Sequence, residues 1–262
     1  MANLSSPVLR YEKRDRKAYL TLNRPEAMNA LSTELSAAVS DAARDADRDD
    51  DILVVIVIGE GGRAFSAGAD LKEMTRIDGE GKADRFAGLL HTDGIAECSK
   101  PVIAANRGYC FGVGFEISLA CDFRLVTPTT LYALPEQKLG QIPGSGGSAR
   151  LQKMVGITRT KDIVMRSRRI PGRQAFDWGV ATDCVPDADL ERATDALVDE
   201  LRSFSPLAQR TAKKLLNDTE DSPLSIAIEL EGHSYSRLRS SADFKEGVEA
   251  FHSKRRPVFT GL

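Results

Sequence analysis

One unbroken apolar run, Ile52-Leu53-Val54-Val55-Ile56-Val57-Ile58, lies between Asp49-Asp50-Asp51 and Gly59-Glu60-Gly61-Gly62. Most of its residues are β-branched, and polar residues do not alternate with the apolar ones. A strand with this pattern is typically buried on both faces, as in a parallel sheet covered by helices. The run therefore predicts a central strand of an α/β fold.

Upstream of this run, the sequence predicts two strands and a helix. Val8–Arg14 and Lys17–Leu22 are short extended segments joined by a turn. Ser32 is placed to cap a helix over Thr33–Arg48, because its hydroxyl can accept from the first helical N–H groups.

Downstream, strand–turn–helix units recur, which is typical of an α/β fold. Two buried strands are predicted, and two glycine turns each lead into a helix. The strands are Pro101–Ala105 and Asp122–Val126; the turns are Gly108–Gly114, before a helix from about Phe115, and Gly144–Gly147, before a helix over Ser148–Val155 that Gly156 ends.

From about Asp189 onward the pattern becomes helical. Four amphipathic helices are predicted, beginning near Leu190, Pro206, Leu224 and Ala242. We therefore expect an α/β core over residues 1–188 and a helical region over residues 189–262, which we expect to serve oligomerisation.

The composition of the 262-residue chain excludes several function classes. Its hydrophobic content of 42% argues against disorder, and its net charge of −2 argues against a generic nucleic-acid binder. No segment approaches the roughly 20 apolar residues of a membrane span. The N-terminus lacks the apolar core of a signal peptide, the four cysteines form no CxxC pair, and the three histidines lie far apart. We expect a reduced, cytoplasmic protein without a metal site.

The first segment that could carry chemistry is Phe65–Glu73. Small residues follow a strand and lead into a helix, so a ligand could approach the backbone and its free N–H groups closely. A tight turn that needs small residues explains the same pattern, and the segment alone does not decide between the two interpretations.

The second segment is Gly108–Glu116. Its Gly-x-Gly lacks the third glycine of a dinucleotide fingerprint, because Ile117 stands at that position. Glu116 begins a helix between Phe115 and Ile117, and burial there would raise its pKa and suit it to acid–base chemistry. A favourable contact with the helix dipole, worth about 0.3–1 kcal/mol, is the alternative.

The third segment, Tyr132–Gly147, contains Glu136 after a proline and is not a P-loop. Taken alone, Glu136 is more typical of a surface residue. The chain has no Gly-x-Ser-x-Gly nucleophile motif. Two glutamates beside two runs of backbone N–H groups would suit proton transfer next to a carbonyl whose oxyanion those groups bind.

Together these segments resemble the crotonase (enoyl-CoA hydratase/isomerase) superfamily, and the resemblance covers nearly the whole chain. The segments that carry it are Leu22–Pro25, Asn29–Leu31, Phe65–Glu73, Lys100–Ala105, Leu134–Glu136, Leu139–Gly147, Phe244–Gly247 and Lys254–Pro257. The resemblance implies a spiral of repeated ββα units followed by a C-terminal helical trimerisation region. It also implies an acyl-CoA substrate, assembly as a homotrimer or dimer of trimers, and no metal or redox cofactor.

Carried over by position, the resemblance assigns roles to individual residues. The backbone N–H groups of Ala69 and Val113 would form the oxyanion hole. Glu116 would deprotonate the attacking water, and Glu136 would exchange a proton at Cα. The substrate and its CoA portion would contact Ala27, Met28, Ala67, Gly68, Asp70, Leu71, Lys72 and Gly112.

Several positions depart from the family pattern. Val113 replaces a usual glycine, and a β-branched residue there requires a negative φ. Arg107 stands where asparagine is usual, and Glu26 where many relatives have lysine. The stretch Met74–Ile95 would help to shape the acyl pocket, and simple helix packing explains its apolar residues equally well.

The retained glutamate pair favours a 2-enoyl-CoA hydratase. A specialised dehydratase of the carnitinyl-CoA type and an enoyl-CoA double-bond isomerase are the alternatives on the same site. A non-catalytic, RNA-binding relative is the alternative of a different class, and the net charge of −2 argues against it.

Overall fold

The computed structural model describes residues 6–73 and 92–262. It is a mixed α/β structure, as the sequence predicts. The strands are β1 (Leu9–Arg14), β2 (Lys17–Leu22), β3 (Val54–Gly59), β4 (Ala64–Ser66), β5 (Val102–Asn106), β6 (Tyr109–Phe111), β7 (Phe123–Val126), β8 (Leu131–Ala133), β9 (Ile170–Pro171) and β10 (Asp183–Cys184). The α-helices are Thr33–Arg48, Asp93–Ala96, Val113–Ala120, Gly147–Met165, Gly172–Asp177, Leu190–Arg202, Pro206–Thr219, Leu224–Arg239 and Ala242–His252.

The larger sheet has six strands in the order β1-β2-β3-β5-β7-β10. β1 and β2 form an antiparallel hairpin, and the remaining neighbours are parallel. β3 comes from the apolar run and lies between β2 and β5, with Val54, Val55, Ile56 and Val57 buried. The predicted central parallel strand is confirmed, although it begins two residues later than the run.

A second sheet, with the order β4-β6-β8-β9, was not predicted from the sequence. β4, β6 and β8 are parallel to one another, and β9 is antiparallel to β8. Gly108 makes the passage from β5 to β6 possible, because a Cβ at this position would lie 2.0 Å from the Arg63 carbonyl oxygen. This sheet positions the candidate site described below.

One of two predicted helices has the expected bounds, and the other is longer than expected. Thr33–Arg48 is confirmed in full, and the Ser32 Oγ accepts from the Leu35 N–H (3.1 Å). The helix predicted over Ser148–Val155 is longer than expected and spans Gly147–Met165. Gly156 has φ 77° and ψ 164°, which breaks the helical path there, but the chain resumes a helix directly afterwards instead of ending it.

The contacts divide the chain into two compact units. The first is Met1–Cys98 with Val102–Thr194, and the second is Ser99–Pro101 with Asp195–Leu262. The role of the helical region in oligomerisation stays a prediction. In the described part of the chain, no helix has the length and apolarity that crossing a bilayer requires.

Candidate active site

Three predicted site segments follow three neighbouring parallel strands. Ser66 of β4 pairs with Cys110 of β6, and Phe111 of β6 pairs with Ala133 of β8. Because the carboxyl ends of parallel strands meet at one edge of a sheet, the segments that follow them lie side by side. This edge brings together the turn at Gly68, the turn at Gly112 and the loop that carries Glu136.

The turn after β4 directs one backbone N–H away from its neighbouring segment. Leu31 and Ala69 form a parallel bridge, in which the Leu31 N–H donates to the Gly68 carbonyl (2.8 Å) and the Asp70 N–H to the Leu31 carbonyl (2.9 Å). In such a bridge Ala69 points its own N–H away from Leu31. That N–H donates to no residue of the described chain.

The turn after β6 presents a second N–H at the start of a helix. Gly112 has φ 51° and ψ −130°, and its N–H donates to the Ala133 carbonyl (2.9 Å). Val113 is the first helical residue, and its φ is negative, as a β-branched residue at this position requires. The positive φ falls on Gly112 instead. The Val113 N–H, as expected at a helix start, has no acceptor among the described residues.

These two turns are in direct backbone contact. A Cβ on Gly68, which has φ 102°, would lie 3.1 Å from the Phe111 carbonyl oxygen and 3.7 Å from the Gly112 Cα. Ala69 comes directly after Gly68, and Val113 directly after Gly112. Their N–H groups therefore lie on adjacent turns. The arrangement suits a shared oxygen acceptor, and the oxyanion role of the pair stays a prediction.

Glu116 is a buried carboxyl that the backbone orients. It is 2% exposed, and its Oε1 accepts from the N–H groups of Ser145 (2.7 Å) and Gly147 (2.8 Å). Burial raises the pKa of Glu116, while the two N–H donors and the charge of Arg150 oppose that rise. A Cβ on Gly147 would lie 2.7 Å from the Glu116 Cγ, so glycine is needed for this approach.

Glu136 lies beside the Gly112 turn in a different environment. Its Oε1 is 3.0 Å from the place that a Cβ on Gly112 would take. Its Oε2 is buried and accepts no hydrogen bond from the described residues. Burial, with a smaller contribution from the Glu116 charge, raises the pKa of Glu136 to about 7. Two interacting carboxyls in unlike environments can divide acid and base roles between them.

The residues predicted to contact the substrate lie on the turns around this edge. Ala27 ends a short 3₁₀ helix, Pro25–Ala27, and Met28 follows with φ 50°. The Met28 carbonyl accepts from the Ala67 N–H (2.9 Å), which holds the two segments together. Leu71 is half exposed and Lys72 is exposed.

Asp70 is held by an ion pair within this region. Arg24 Nη2 lies 2.8 Å from its Oδ2, and the pair holds the pKa of Asp70 below its usual range. The Asp70 Oδ1 also accepts from the Lys72 N–H (3.2 Å). Its carboxylate therefore fixes the turn.

Two positions that depart from the family pattern, Arg107 and Glu26, have different surroundings. Arg107 Nη2 donates to the Asp187 carbonyl (2.5 Å), and Nη1 lies 3.6 Å from Glu191 Oε1, so this side chain holds the segment after β10. Glu26 is exposed. Of the stretch Met74–Ile95, residues 74–91 lie outside the described residues.

Sequence reasoning missed the groups that support Glu116. From the sequence, Ser145 and Gly147 stand out only as part of the glycine-rich turn Gly144–Gly147, and Arg150 does not stand out. The signal that could have found them is the run of small residues, because a backbone that binds a carboxylate must approach it closely. The described residues contain no group of three or more His, Cys, Asp or Glu placed to hold a metal ion.

Comparison with protein families gives one match over nearly the whole chain. The model of the family described as enoyl-CoA hydratase/isomerase matches residues 12–261. A probable enoyl-CoA hydratase of Mycobacterium tuberculosis is 36% identical over 251 residues, covering 95% of this chain and 96% of that protein. A carnitinyl-CoA dehydratase of Salmonella typhimurium is 37% identical over 254 residues, covering 92% of this chain and 94% of that protein.

Solved structures give the same picture at the level of the fold. The enoyl-CoA hydratase from Bacillus anthracis superimposes with a TM-score of 0.92 at 30% identity, covering 97% of this chain and 100% of that one. An enoyl-CoA hydratase from Mycobacterium tuberculosis gives a TM-score of 0.89 at 30% identity, covering 98% and 100%.

Proposed function

The chain belongs to the enoyl-CoA hydratase/isomerase family, or crotonase superfamily, and from that premise we propose that it is a 2-enoyl-CoA hydratase. Membership makes the chain an enzyme that acts on CoA thioesters. The proposed reaction is the reversible addition of water across the 2,3 double bond. The single observation that carries it is the pair of interacting carboxyls, Glu116 and Glu136, at the edge where the two glycine turns meet.

In the proposed mechanism Glu116 is the base. Its carboxylate takes a proton from water while the water oxygen forms a bond to Cβ of the enoyl group. Two backbone N–H donors fix Oε1 and favour the ionised form, which leaves Oε2 to take the proton. General base catalysis of this kind contributes about 10²–10⁴-fold to a rate.

The electrons of the double bond move onto the thioester, which becomes an enolate. Its oxygen would accept hydrogen bonds from the N–H groups of Ala69 and Val113, and losing one such donor typically costs about 10²–10³-fold. Protonated Glu136 then donates its proton to Cα, which completes the addition of water. Proton exchange with solvent returns Glu116 to its ionised and Glu136 to its protonated form.

The different environments of the two glutamates support this division of labour. Glu136 has a pKa of about 7 and a buried, unbonded Oε2, so a large fraction of it is protonated near neutral pH. The carboxylate of Glu116, by contrast, is stabilised by the N–H groups of Ser145 and Gly147. No metal or redox cofactor has a step in this scheme, and the proposed assembly is a homotrimer or a dimer of trimers.

A carnitinyl-CoA-type dehydratase is the second candidate, because relatives with that name share 37% identity with this chain. Both reactions use the same proton transfers and differ in the acyl group. A double-bond isomerase would need only the transfer at Cα and a second carbon, and would leave the water-activating role of Glu116 unused.

The test is a spectrophotometric assay with crotonyl-CoA that follows the loss of the conjugated thioester absorbance. We expect turnover by the wild type and a decrease of about 10²–10⁴-fold in kcat for both Glu116→Gln and Glu136→Gln. Binding of the unreactive butyryl-CoA, measured by calorimetry, should stay within about twofold in each variant because the amide keeps the shape of the side chain.

Glu34→Gln is the matched control, because Glu34 is an exposed carboxylate on another helix and should leave the rate unchanged. If the wild type is inactive on crotonyl-CoA but acts on crotonobetainyl-CoA or a 3-enoyl-CoA, the second candidate or the isomerase replaces the hydratase. Wild-type rates in either glutamine variant would contradict the acid–base assignment.

A further inference from the structure

The turn that holds Glu116 is itself held by a charged side chain. The Ser145 and Gly147 N–H groups bind Oε1 of Glu116, and the Ser145 carbonyl, in the peptide unit between those two N–H groups, accepts from Arg150 Nη1 (3.0 Å). The same carbonyl accepts from the buried Thr92 hydroxyl (3.2 Å). Two side chains therefore fix the Ser145–Gly146 peptide, which lies between the two peptides whose N–H groups orient the carboxyl.

The local backbone is shaped to let Arg150 reach this carbonyl. A Cβ on Gly146 would lie 2.3 Å from Arg150 Nη1, and Gly146 has φ 88°. A larger residue at position 146 would displace the guanidinium from its present place and strain the turn. The glycine thus serves Arg150 in addition to the turn itself.

Arg150 does not stabilise the helix on which it lies through the helix dipole. It lies in the first turn of the helix Gly147–Met165, and its own N–H donates to the Gly146 carbonyl (3.0 Å). A cation near a helix N-terminus is unfavourable because the helix dipole is positive there. The guanidinium is nevertheless folded back toward that end, where it meets the Glu116 support.

We propose that Arg150 is a positioning residue for the proposed reaction, which holds the Ser145–Gly146 peptide of the turn so that Glu116 is kept as an ionised, oriented base. The inference rests on the proposed function, since it concerns how that function's base is prepared. Arg150 acts through the turn, by its hydrogen bond to the Ser145 carbonyl, and through its charge.

Among the described residues, two charged groups act on Glu116. Arg150 on the helix Gly147–Met165 lowers its pKa, and Glu136 on the loop after β8 interacts with it as a like charge. Removing Arg150 takes away the attraction and leaves the repulsion. The carboxyl of Glu116 should then hold its proton to higher pH.

The kinetic test compares Arg150→Met and Arg150→Lys with the wild type from pH 5 to 9. For Arg150→Met we expect the acidic limb of the kcat profile to move up by about one pH unit, with about tenfold lower kcat below it and an unchanged KM. Arg150→Lys keeps the charge and should recover most of the shift. Arg159→Met, an exposed arginine on the same helix, is the matched control and should keep the wild-type profile.

A second measurement does not depend on turnover. The Glu116 carboxyl is titrated by ¹³C NMR in protein labelled at glutamate, with the signal assigned by its loss in Glu116→Gln. A higher midpoint in Arg150→Met than in the wild type supports the proposal even if the hydratase assignment fails. An unchanged midpoint, or a raised KM with an unchanged acidic limb, overturns it.

Discussion

Glu116 and Glu136 show how far environment separates two identical side chains. Glu116 is more deeply buried, yet two backbone donors and Arg150 support its ionised form. Glu136 has a buried Oε2 without a hydrogen bond among the described residues, and its pKa rises to about 7. Burial raises the pKa of both carboxyls, and at Glu116 two backbone donors and the charge of Arg150 oppose that rise.

This environment should make Glu136 costly to the fold above neutral pH. Its pKa is about 7 in the folded protein against 4.5 as a free side chain, so the folded state binds the proton more tightly. The stability that this proton contributes is complete below about pH 4.5 and is lost as the pH rises to about 7. Glu136→Gln removes that dependence, because glutamine does not ionise.

We therefore expect Glu136→Gln to raise the melting temperature at pH 8 by more than it does at pH 5. Calorimetry at the two pH values measures the difference, with Glu34→Gln as the exposed-carboxylate control. An equal change at both pH values would mean that the ionised carboxylate of Glu136 carries no penalty in the folded state.

At this scale the sequence was only partly informative. The burial of Glu116 was predictable from its neighbours Phe115 and Ile117, both of which are fully buried. Glu136 lies in a segment of mixed polarity, between Pro135 and Gln137, and its raised pKa depends on contacts with residues distant in sequence. Ser145 and Gly147 are 29 and 31 positions from Glu116, and the run of small residues in which they lie does not show which carboxyl it binds.

Long helices and strands could be predicted from the sequence more accurately than short ones. β2 and the helix Thr33–Arg48 have the predicted bounds because several periods of their hydrophobic pattern are visible. β4, β6 and β8 have three residues each, too few to show alternation, and they were missed. These short strands are the ones whose ends carry the candidate site, so the expectation for the site residues comes from the resemblance to a family and not from periodicity.

The helix Val113–Ala120 is the element on which the site depends most. It begins with the candidate oxyanion N–H, carries Glu116 in its first turn, and is stabilised at its other end by Arg124. That guanidinium is 7% exposed and donates to the carbonyls of Ser118 (3.1 Å), Cys121 and Val180 (2.6 Å). A cation at a helix C-terminus also interacts favourably with the dipole.

Arg124→Met should destabilise the protein strongly, because it leaves several buried carbonyls without their donor. We expect a loss of about 3 kcal/mol or more, since hydrogen bonds to charged groups are worth about 1.5–3 kcal/mol each. In thermal unfolding this corresponds to a decrease in Tm of about 6–12 °C for a chain of this size.

Arg166→Met is the control for Arg124→Met. Arg166 is an exposed arginine paired with Asp162, and surface pairs of this kind contribute about 0–1 kcal/mol. If the two variants have the same Tm, the carbonyls around Arg124 find other donors and the helix does not depend on it.

At the scale of the whole molecule, the fold itself was predictable. TM-scores near 0.9 to enoyl-CoA hydratase structures confirm the crotonase-like α/β fold that the motifs implied. The helical character of the C-terminal region was also predictable, because its four helices are long and amphipathic. The binding partner of that region does not follow from its helices, since an exposed apolar residue can pack against many kinds of partner.

The helix Leu224–Arg239 carries the clearest sign of an uncovered surface. It has no buried residue, and Leu224, Ile228 and Tyr235 are each more than half exposed. Spacings of four and seven residues place these three on one face of the helix. A row of large apolar side chains on an exposed helix face is typical of a protein–protein interface. Its predicted partner is a second copy of this chain, in line with the proposed trimer.

Ile228→Glu should therefore shift the assembly toward smaller species, because burying a charge in an apolar contact is unfavourable. Light scattering coupled to size-exclusion chromatography measures the mass directly, and dilution shows how far each equilibrium has moved. Ser236→Glu adds the same charge at an exposed position away from the row and should keep the wild-type mass. A monomeric wild type would contradict the proposed assembly. An Ile228→Glu variant of unchanged mass would place the subunit interface on another surface, because no oligomer could keep that row buried around a new carboxylate at no cost.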